Sequence, residues 1–440
     1  PLQSAFYACR NCLSVLTFFL FYSMIILINS DQRRNIMDIK ITPTKLGGKL
    51  IVPPSKSISH RMLICAALCD GMTHIDNLLE CMDSHATINA LTALGAEIKG
   101  KNGSYDVKGI VNPKKTAAVD CFESGSTLRF MIPIFSAFGC EAEFTGRGKL
   151  PERPITPIIK PMIDNGVTFK TLTMPYKVKG KLHGGKYYID GSVSSQFITG
   201  LLFALSVLKE DSEIILTTKL ESRPYVNITI NCMKQFGVEV AETENGYFVK
   251  GGQKYQPHNC TVEADMSQSA FFIAANCAGS DIELANLNMN SVQGDKAIIN
   301  IADKFKNDGD LSIIDASDIP DLVPAIAVMM SFWKKPCRII NCERLRIKEC
   351  DRIAVPAQEL SKVGVRCDEH DDGLTIHGDP ALASRLHSLD GIAFSAHGDH
   401  RIAMSLALLE LRGGRLTLDD PSCVSKSFPN FWECWGQVRV

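Results

Sequence analysis

Six segments of this chain repeat one plan, and a repeat of that kind constrains the architecture more than any single motif does. Each opens on a Ser- or Asp-rich turn, runs through an apolar helix and a glycine or charged turn, and continues into an alternating strand. A second, amphipathic helix often follows and closes near Gly-Val. The segments begin near Ser57 (SISHRMLICAALCDG), Ser124 (SGSTLRFMIPIFSAFG), Ser194 (SSQFITGLLFALSVL), Ser267 (SQSAFFIAANCAG), Asp321 (DLVPAIAVMMSFW) and Asp399 (DHRIAMSLALLEL). The endings ALTALGAEI, PMIDNGVTF, CMKQFGVEV and ELSKVGVRC hold the same register.

Every first helix is apolar nearly all round, which predicts burial inside a domain rather than a surface stripe. Helices of one shared unit, stacked in parallel, point their N-termini the same way. Each such end offers unpaired N–H groups and about half a positive charge, and Ser or Asp is the expected cap. Six ends converging on one cleft would make an anion trap. At about 150 residues per domain, a chain of 440 residues is expected to hold two or three. The polar stretch 251–264 (GGQKYQPHNCTVEA) separates the third repeat from the fourth and marks a candidate boundary near 263. The strand before Pro53 is free to join the domain that resumes at 264, giving one discontinuous and one continuous domain.

The charge balance narrows the partners. Lys plus Arg total 47 against 48 Asp plus Glu, so neither a nucleic-acid-coating nor a membrane-coating surface is expected. A cleft that gathers cations for a small anion remains open. The 16 cysteines run from Cys9 to Cys434 without a regular framework, which fits a reducing cytosol. Zinc needs paired Cys/His clusters, whereas the close pairs Cys9/Cys12 and Cys65/Cys69 lie in an apolar head and an apolar helical run, so no metal is expected. Residues 13–29 (LSVLTFFLFYSMIILIN) carry no charge and are marginal both for a membrane span and for a signal peptide. A strand-like alternation opens at Met37-Asp-Ile-Lys-Ile, and residues 1–36 therefore read as an upstream or targeting head outside the fold.

The chemistry-bearing residues sit at the starts of the repeats. Lys56 and Ser57 stand at a helix start with Arg61 one turn later on the same face, which suits a phosphate or a carboxylate. In Glu123-Ser124-Gly125-Ser126-Thr127, Gly125 allows close approach to the backbone, and Arg153 of PERPI lies in a loop able to reach over it. Asp190-Gly-Ser-Val-Ser194-Ser195-Gln196 and Ser222-Arg223-Pro224-Tyr225 together read as a polyhydroxyl and phosphate site. The second half adds Asp321 after Ile319-Pro320, the charged run Arg346-Ile-Lys348-Glu349-Cys-Asp351-Arg352, Asp399-His400-Arg401, and Lys426. Taken singly, each string also fits a cap, a turn or a solvated charge run. No G-x-S-x-G elbow, G-x-G-x-x-G loop or Walker A sequence occurs. The sum is two anionic substrates held by cations and helix ends, with protons moved by carboxylate and lysine.

The motifs PSKSISHR, ERPI, DGSVSSQF, IPD, RIKECDR, DHR and SKSFP occur in the order found in the 5-enolpyruvylshikimate-3-phosphate synthase family, which residues 38–436 resemble. The resemblance implies an α/β (α+β) fold of two domains, each built from three βαβαββ repeats around buried parallel helices. It implies a discontinuous domain, 37–54 plus 264–440, carrying acid/base and phosphoenolpyruvate residues, and a continuous domain, 55–263, carrying shikimate 3-phosphate residues. The implied reaction transfers the enolpyruvyl group of phosphoenolpyruvate to the 5-hydroxyl of shikimate 3-phosphate and releases phosphate, with neither a metal nor an organic cofactor. Carried over by motif, Lys56, Ser57, Arg61, Ser194, Ser195, Gln196, Ser222, Asp321 and Lys348 hold shikimate 3-phosphate. Lys56, Gly125, Arg153, Gln196, Arg352, Arg401 and Lys426 hold phosphoenolpyruvate. Asp321 is the implied proton acceptor, Glu349 the donor to the methylene carbon, Lys56 a third catalytic group, and His400 a further contact. A cytoplasmic monomer is expected, with no nucleic-acid partner and no membrane partner for residues 37–440.

Two positions depart from the family pattern. Glu123 stands where Asn is common, and an acid there repels a phosphoenolpyruvate unless it turns away or pairs with a cation. Arg344 stands where some members have a substrate-contacting Asn. The nearest rival, the sister transferase acting on UDP-N-acetylglucosamine, characteristically has Lys-Asn at the first motif and a loop cysteine ahead of Arg-Pro. This chain has Lys56-Ser57 and no cysteine in GRGKLPERP. A rival of another class is a non-catalytic anion-binding module tethered through residues 13–29.

Overall fold

The computed structural model describes residues 39–41, 46–412 and 415–439, and the head at 1–36 lies outside them. The six apolar helices run over Lys56–Leu68, Gly125–Ala137, Ser195–Ser206, Met266–Cys277, Val323–Ser331 and His400–Leu406. Five have a side-chain cap: Ser55, Ser124, Ser194, Asp265 and Asp399 each accept from a backbone N–H of the first turn. The helix starts differ in detail from the sequence reading. Ser55 rather than Ser57 caps the first helix, and Asp265 rather than Ser267 caps the fourth. Asp265 wins because its carboxylate accepts from both Ser267 N and Gln268 N, while the Ser267 hydroxyl donates to it at 2.7 Å. Asp321 caps nothing. It lies in a 3-10 turn, Pro320–Leu322, that leads into the fifth helix and leaves its carboxylate free to turn elsewhere.

One strand pattern recurs in four sheets. In the second repeat, Thr116–Asp120 pairs parallel with Glu141–Thr145, which pairs antiparallel with Tyr176–Gly180, itself antiparallel to Val167–Phe169. A parallel pair needs a crossover, and the buried helix Gly125–Ala137 supplies it. The third and fifth repeats share this order. In the first, the outer strand is Cys260–Thr261, parallel to Met72–Asp76, so the chain returns to its first repeat before entering the fourth. The last two sheets borrow from the start of the chain. Gly47–Leu50 pairs parallel with Asp281–Leu284, and Ile39–Ile41 pairs antiparallel with Arg415–Leu418, which is parallel to Asp390–Phe394.

The Gly-Val endings have a backbone reason: Gly166, Gly237 and Gly364 end their helices at φ of +102°, +78° and +76°, where a side chain is strained. The buried apolar side chains form two clusters. The first spans Ile58 to Val262, and the second joins Leu46 and Leu50 to residues from Ala270 to Val438. Among the described residues no helix is long and apolar enough to cross a membrane.

Candidate active site

A cleft of about 800 Å³, open mouth included, is lined by residues from both halves of the chain, Lys56 to Tyr225 and Pro320 to Arg401. The starts of five of the six apolar helices open onto it, through Lys56 and Ser57, Gly125 and Ser126, Ser194 to Gln196, Pro320 and Asp321, and His400 and Arg401. Seven cationic side chains line it (Lys56, Arg61, Arg153, Arg344, Lys348, Arg352, Arg401) against three acidic ones (Asp83, Asp321, Glu349). Cation excess and converging helix ends make the cleft an anion site.

Every residue carried over from the family motifs lines this cleft except Lys426. Lys426 lines an adjoining cavity with Glu123 and Asp83, and its ammonium reaches back to Glu349 at 3.1 Å. The charged run of the fifth repeat divides between two surfaces. Lys348, Glu349 and Arg352 turn into the cleft, whereas Arg346 pairs with Asp351 at 2.8 Å and Glu369 at 2.7 Å outside it.

Arg352, 2% exposed, is the hub of the acid/base half. Its Nε donates to Asp399 Oδ2 at 2.7 Å, Nη1 to Asp321 Oδ1 at 3.1 Å, and Nη2 to Glu349 Oε2 at 3.1 Å. Arg401 Nη2 donates to the other Asp321 oxygen at 2.8 Å and to Ser267 Oγ at 3.2 Å, which ties the fourth helix start to the cleft. Burial alone would raise the pKa of Asp321, but Arg401, Lys348, Arg352 and Lys56 hold it far below the usual carboxylate range. Glu349 is likewise held well below its ordinary value against burial, by Arg352, Lys426 and Arg153. Burial pushes Lys348 down to about 7, with Asp321 opposing and Arg153 and Arg352 assisting. His400 is buried with both ring nitrogens unpartnered, and burial among Lys56 and Arg401 keeps it neutral.

The opposite wall holds hydroxyls and fixed cations. Arg61 Nη1 donates to Ser57 O at 2.6 Å, Nε to Thr229 Oγ1 at 2.8 Å and Nη2 to Tyr225 O at 3.0 Å, a fork fully anchored beside the first helix start. Lys56 pairs with Asp83 at 2.9 Å. Sequence reasoning missed Asp83, Arg129, Glu221 and Asp295. Arg129 Nη1 donates to Gln196 Oε1 at 2.7 Å, which turns the Gln196 amide so that Nε2 donates to Ser126 Oγ at 2.9 Å. The available signal was a lone arginine in an otherwise apolar helix. Asp83 lies in the first turn of Met82–Leu94, a second helix, and nothing in its spacing marked it.

Both departures from the family pattern are paired with a side chain of opposite charge. Glu123 lies 3.3 Å from the Lys426 ammonium, which answers its charge. Arg344, left out of the predicted site, lines the cleft with Nη1 on Glu221 Oε2 at 2.9 Å and Nη2 on Ser222 Oγ at 3.2 Å. The Gly125 position is occupied in a specific way: a Cβ there would lie 2.8 Å from Arg153 Nη1 and 2.9 Å from Cζ. Gly125→Ala is therefore expected to displace the Arg153 guanidinium and raise the KM for phosphoenolpyruvate about tenfold, leaving the KM for the phosphorylated co-substrate within about twofold. Initial-rate kinetics with each substrate varied in turn would show the split, and an unchanged KM for phosphoenolpyruvate would count against this contact.

Comparison with known proteins agrees with this architecture. The chain superposes on the EPSP synthase from Acinetobacter baumannii with a TM-score of 0.75 at 26% identity, over 91% of this chain and 98% of that one. The enolpyruvyl transferase NikO from Streptomyces tendae shares the fold, with a TM-score of 0.69 at 15% identity over 91% of this chain and 97% of its own. The fold is that of an enolpyruvyl transferase. The sequence model described as EPSP synthase (3-phosphoshikimate 1-carboxyvinyltransferase) matches residues 41–435. The 3-phosphoshikimate 1-carboxyvinyltransferases of Clostridium beijerinckii and Clostridioides difficile are each 39% identical over 90% of this chain and 96% of their own. The chain belongs to the EPSP synthase family.

Proposed function

We propose that this cleft transfers the enolpyruvyl group of phosphoenolpyruvate to the 5-hydroxyl of shikimate 3-phosphate and releases phosphate, a step toward aromatic amino acids. The observation that carries the reading is the presence, in one cleft, of two carboxylates gripped by cations and joined through a shared arginine. Asp321 is gripped by Arg401 and Arg352, while Glu349 sits among Arg352, Lys426 and Arg153. Shikimate 3-phosphate is taken to lie along Lys56, Ser57, Arg61, Ser194, Ser195, Gln196, Ser222, Asp321 and Lys348. Phosphoenolpyruvate is taken to lie against Lys56, Gly125, Arg153, Gln196, Arg352, Arg401 and Lys426. In the same reading, 55–263 and 37–54 plus 264–440 are the two domains, and the enzyme works as a cytoplasmic monomer.

Asp321, ionised in the empty cleft, accepts the proton of the attacking hydroxyl as its oxygen bonds to C2 of phosphoenolpyruvate. Glu349 gives a proton to C3. In the empty cleft Glu349 is ionised as well, and the substrate itself supplies the change. Its phosphate and carboxylate engage Arg153, Arg352 and Lys426, the field that held Glu349 down is neutralised, and the Glu349 pKa rises toward protonation. Collapse of the tetrahedral adduct breaks the C2–O bond to phosphate, and the cations stabilise the departing anion. The test is phosphate release from phosphoenolpyruvate with either shikimate 3-phosphate or UDP-N-acetylglucosamine as acceptor. Release with shikimate 3-phosphate alone is expected. Release only with the sugar nucleotide, or with neither from folded protein, would overturn the reading.

A further inference from the structure

The Tyr225 hydroxyl stands between two carboxylates, 2.9 Å from Asp295 Oδ2 and 3.2 Å from Asp321 Oδ2. A phenol has one proton to donate. With both carboxylates ionised, only one of these contacts is a full hydrogen bond, so the trio has room for a second proton. Asp295 is the natural place for it. Asp295 is 6% exposed, it lies in the 3-10 turn Gly294–Lys296, and its Oδ1 is buried with no partner. Asp321, by contrast, has an arginine on each oxygen.

The groups facing Asp295 come from four elements. They are Tyr225 on Arg223–Gln235, Asp321 in its 3-10 turn, Arg401 on His400–Leu406, and Asp265 at the start of Met266–Cys277. The neighbouring Lys296 turns its ammonium away to Ser291 O at 2.8 Å. Burial and the charge of Asp321 raise Asp295 to about 7, against the pull of Arg401. A proton arriving in this trio therefore rests on Asp295 in preference to Asp321.

We propose that Asp295 is the resting place of the proton taken from the attacking hydroxyl, reached from Asp321 through the Tyr225 hydroxyl. The inference rests on the reading of Asp321 as the proton acceptor. As the substrate O–H breaks and the O–C2 bond forms, the proton moves to Asp321 Oδ2. Tyr225 Oη takes it and releases its own proton to Asp295 Oδ2, while Glu349 separately protonates C3. In the elimination, C3 returns a proton to Glu349 and the C2–O electron pair leaves with phosphate. Asp295 then sends its proton back along the same chain to the departing phosphate. The relay relieves a specific difficulty: Asp321, gripped by cations, is a weak base by itself, and Asp295 is the stronger one behind it. Asp295 acts through Asp321, away from the substrate, and is a positioning residue.

The experiment is the pH profile of kcat, at saturating substrates, for the full chain and its Asp295→Asn, Tyr225→Phe and Asp321→Asn variants. An ionised Asp295 accepts the proton and a protonated one does not, so wild-type kcat is expected to fall as pH drops below about 7. Asp295→Asn is expected to lose that limb and run flat at a kcat about tenfold lower, with both KM values within about twofold. Tyr225→Phe, which keeps every charge, is expected to lose the limb as well. An Asp295→Asn enzyme that keeps the wild-type limb or rate overturns the relay. Should Asp295→Asn fail to fold, Tyr225→Phe decides on the same criterion. An active Asp321→Asn would instead overturn the acceptor reading itself.

Discussion

Asp321→Asn is expected to lower kcat by about 10³-fold while shikimate 3-phosphate still binds within about tenfold, the pattern of a lost proton acceptor. The substitution keeps the shape of the side chain and one acceptor oxygen, so one of the two guanidinium donors, Arg352 Nη1 at 3.1 Å or Arg401 Nη2 at 2.8 Å, keeps its hydrogen bond. What it removes is the negative charge that accepts a proton. The phosphorylated substrate retains Lys56, Arg61, Lys348 and the hydroxyls of Ser194, Ser195 and Ser222, all lining the cleft. Binding by titration calorimetry and turnover by phosphate release separate the two effects. A variant that keeps turnover removes Asp321 from its role, and one that loses binding in proportion makes Asp321 a ligand only.

Arg352→Met is expected to destabilise the protein by about 3–5 kcal/mol and to abolish measurable turnover, because it strips one buried cation from three carboxylates at once. Methionine fills the volume, so the loss is electrostatic rather than a cavity. Asp399, wholly buried, keeps the Arg401 backbone N–H at 2.9 Å but loses its two guanidinium contacts. The sign of the pH dependence follows. Asp321 and Glu349 have folded pKa values below their unfolded ones, so their contribution is complete above the unfolded carboxylate value of about 4 and is lost as pH falls. Without Arg352 both values rise, and acid unfolding is expected to begin at a higher pH in the variant. Thermal melts across the acid range would show it, and equal melting of variant and parent would mean that the hub carries no stability. Arg352→Lys is expected to restore only part of the loss, since an ammonium cannot reach three carboxylates with a planar fork.

The repeat was legible because burial demands apolar helices, and crossover sheets demand a fixed order of turn, helix and strand. That periodicity survives in a single chain. The motifs at Lys56, Gly125, Ser194, Asp321 and Arg401 were legible because each lies at the start of a repeat. Their partners were harder to read. Asp295, Asp83 and Glu221 face the cleft chemistry from a 3-10 turn, a second helix and a loop, where neither periodicity nor a motif marks them. The caps Ser55 and Asp265 lay two residues from the expected positions: Asp265 accepts from two backbone N–H groups of the first turn, and Ser55 accepts from Ile58 N.

By itself the sequence determined the six buried helices, the direction of their N-termini, and the residue types those ends present. The tertiary structure alone decided which charges meet. Arg352 joins Asp399 from 47 residues away, and Arg344 joins Glu221 from 123. The physical reason is that helix and cap formation depend on neighbours along the chain, whereas a pKa depends on burial and on charges brought close in space. Asp321 meets Arg352, Arg401 and Tyr225, with Asp295 on the far side of Tyr225, only because segments distant along the chain meet at one cleft.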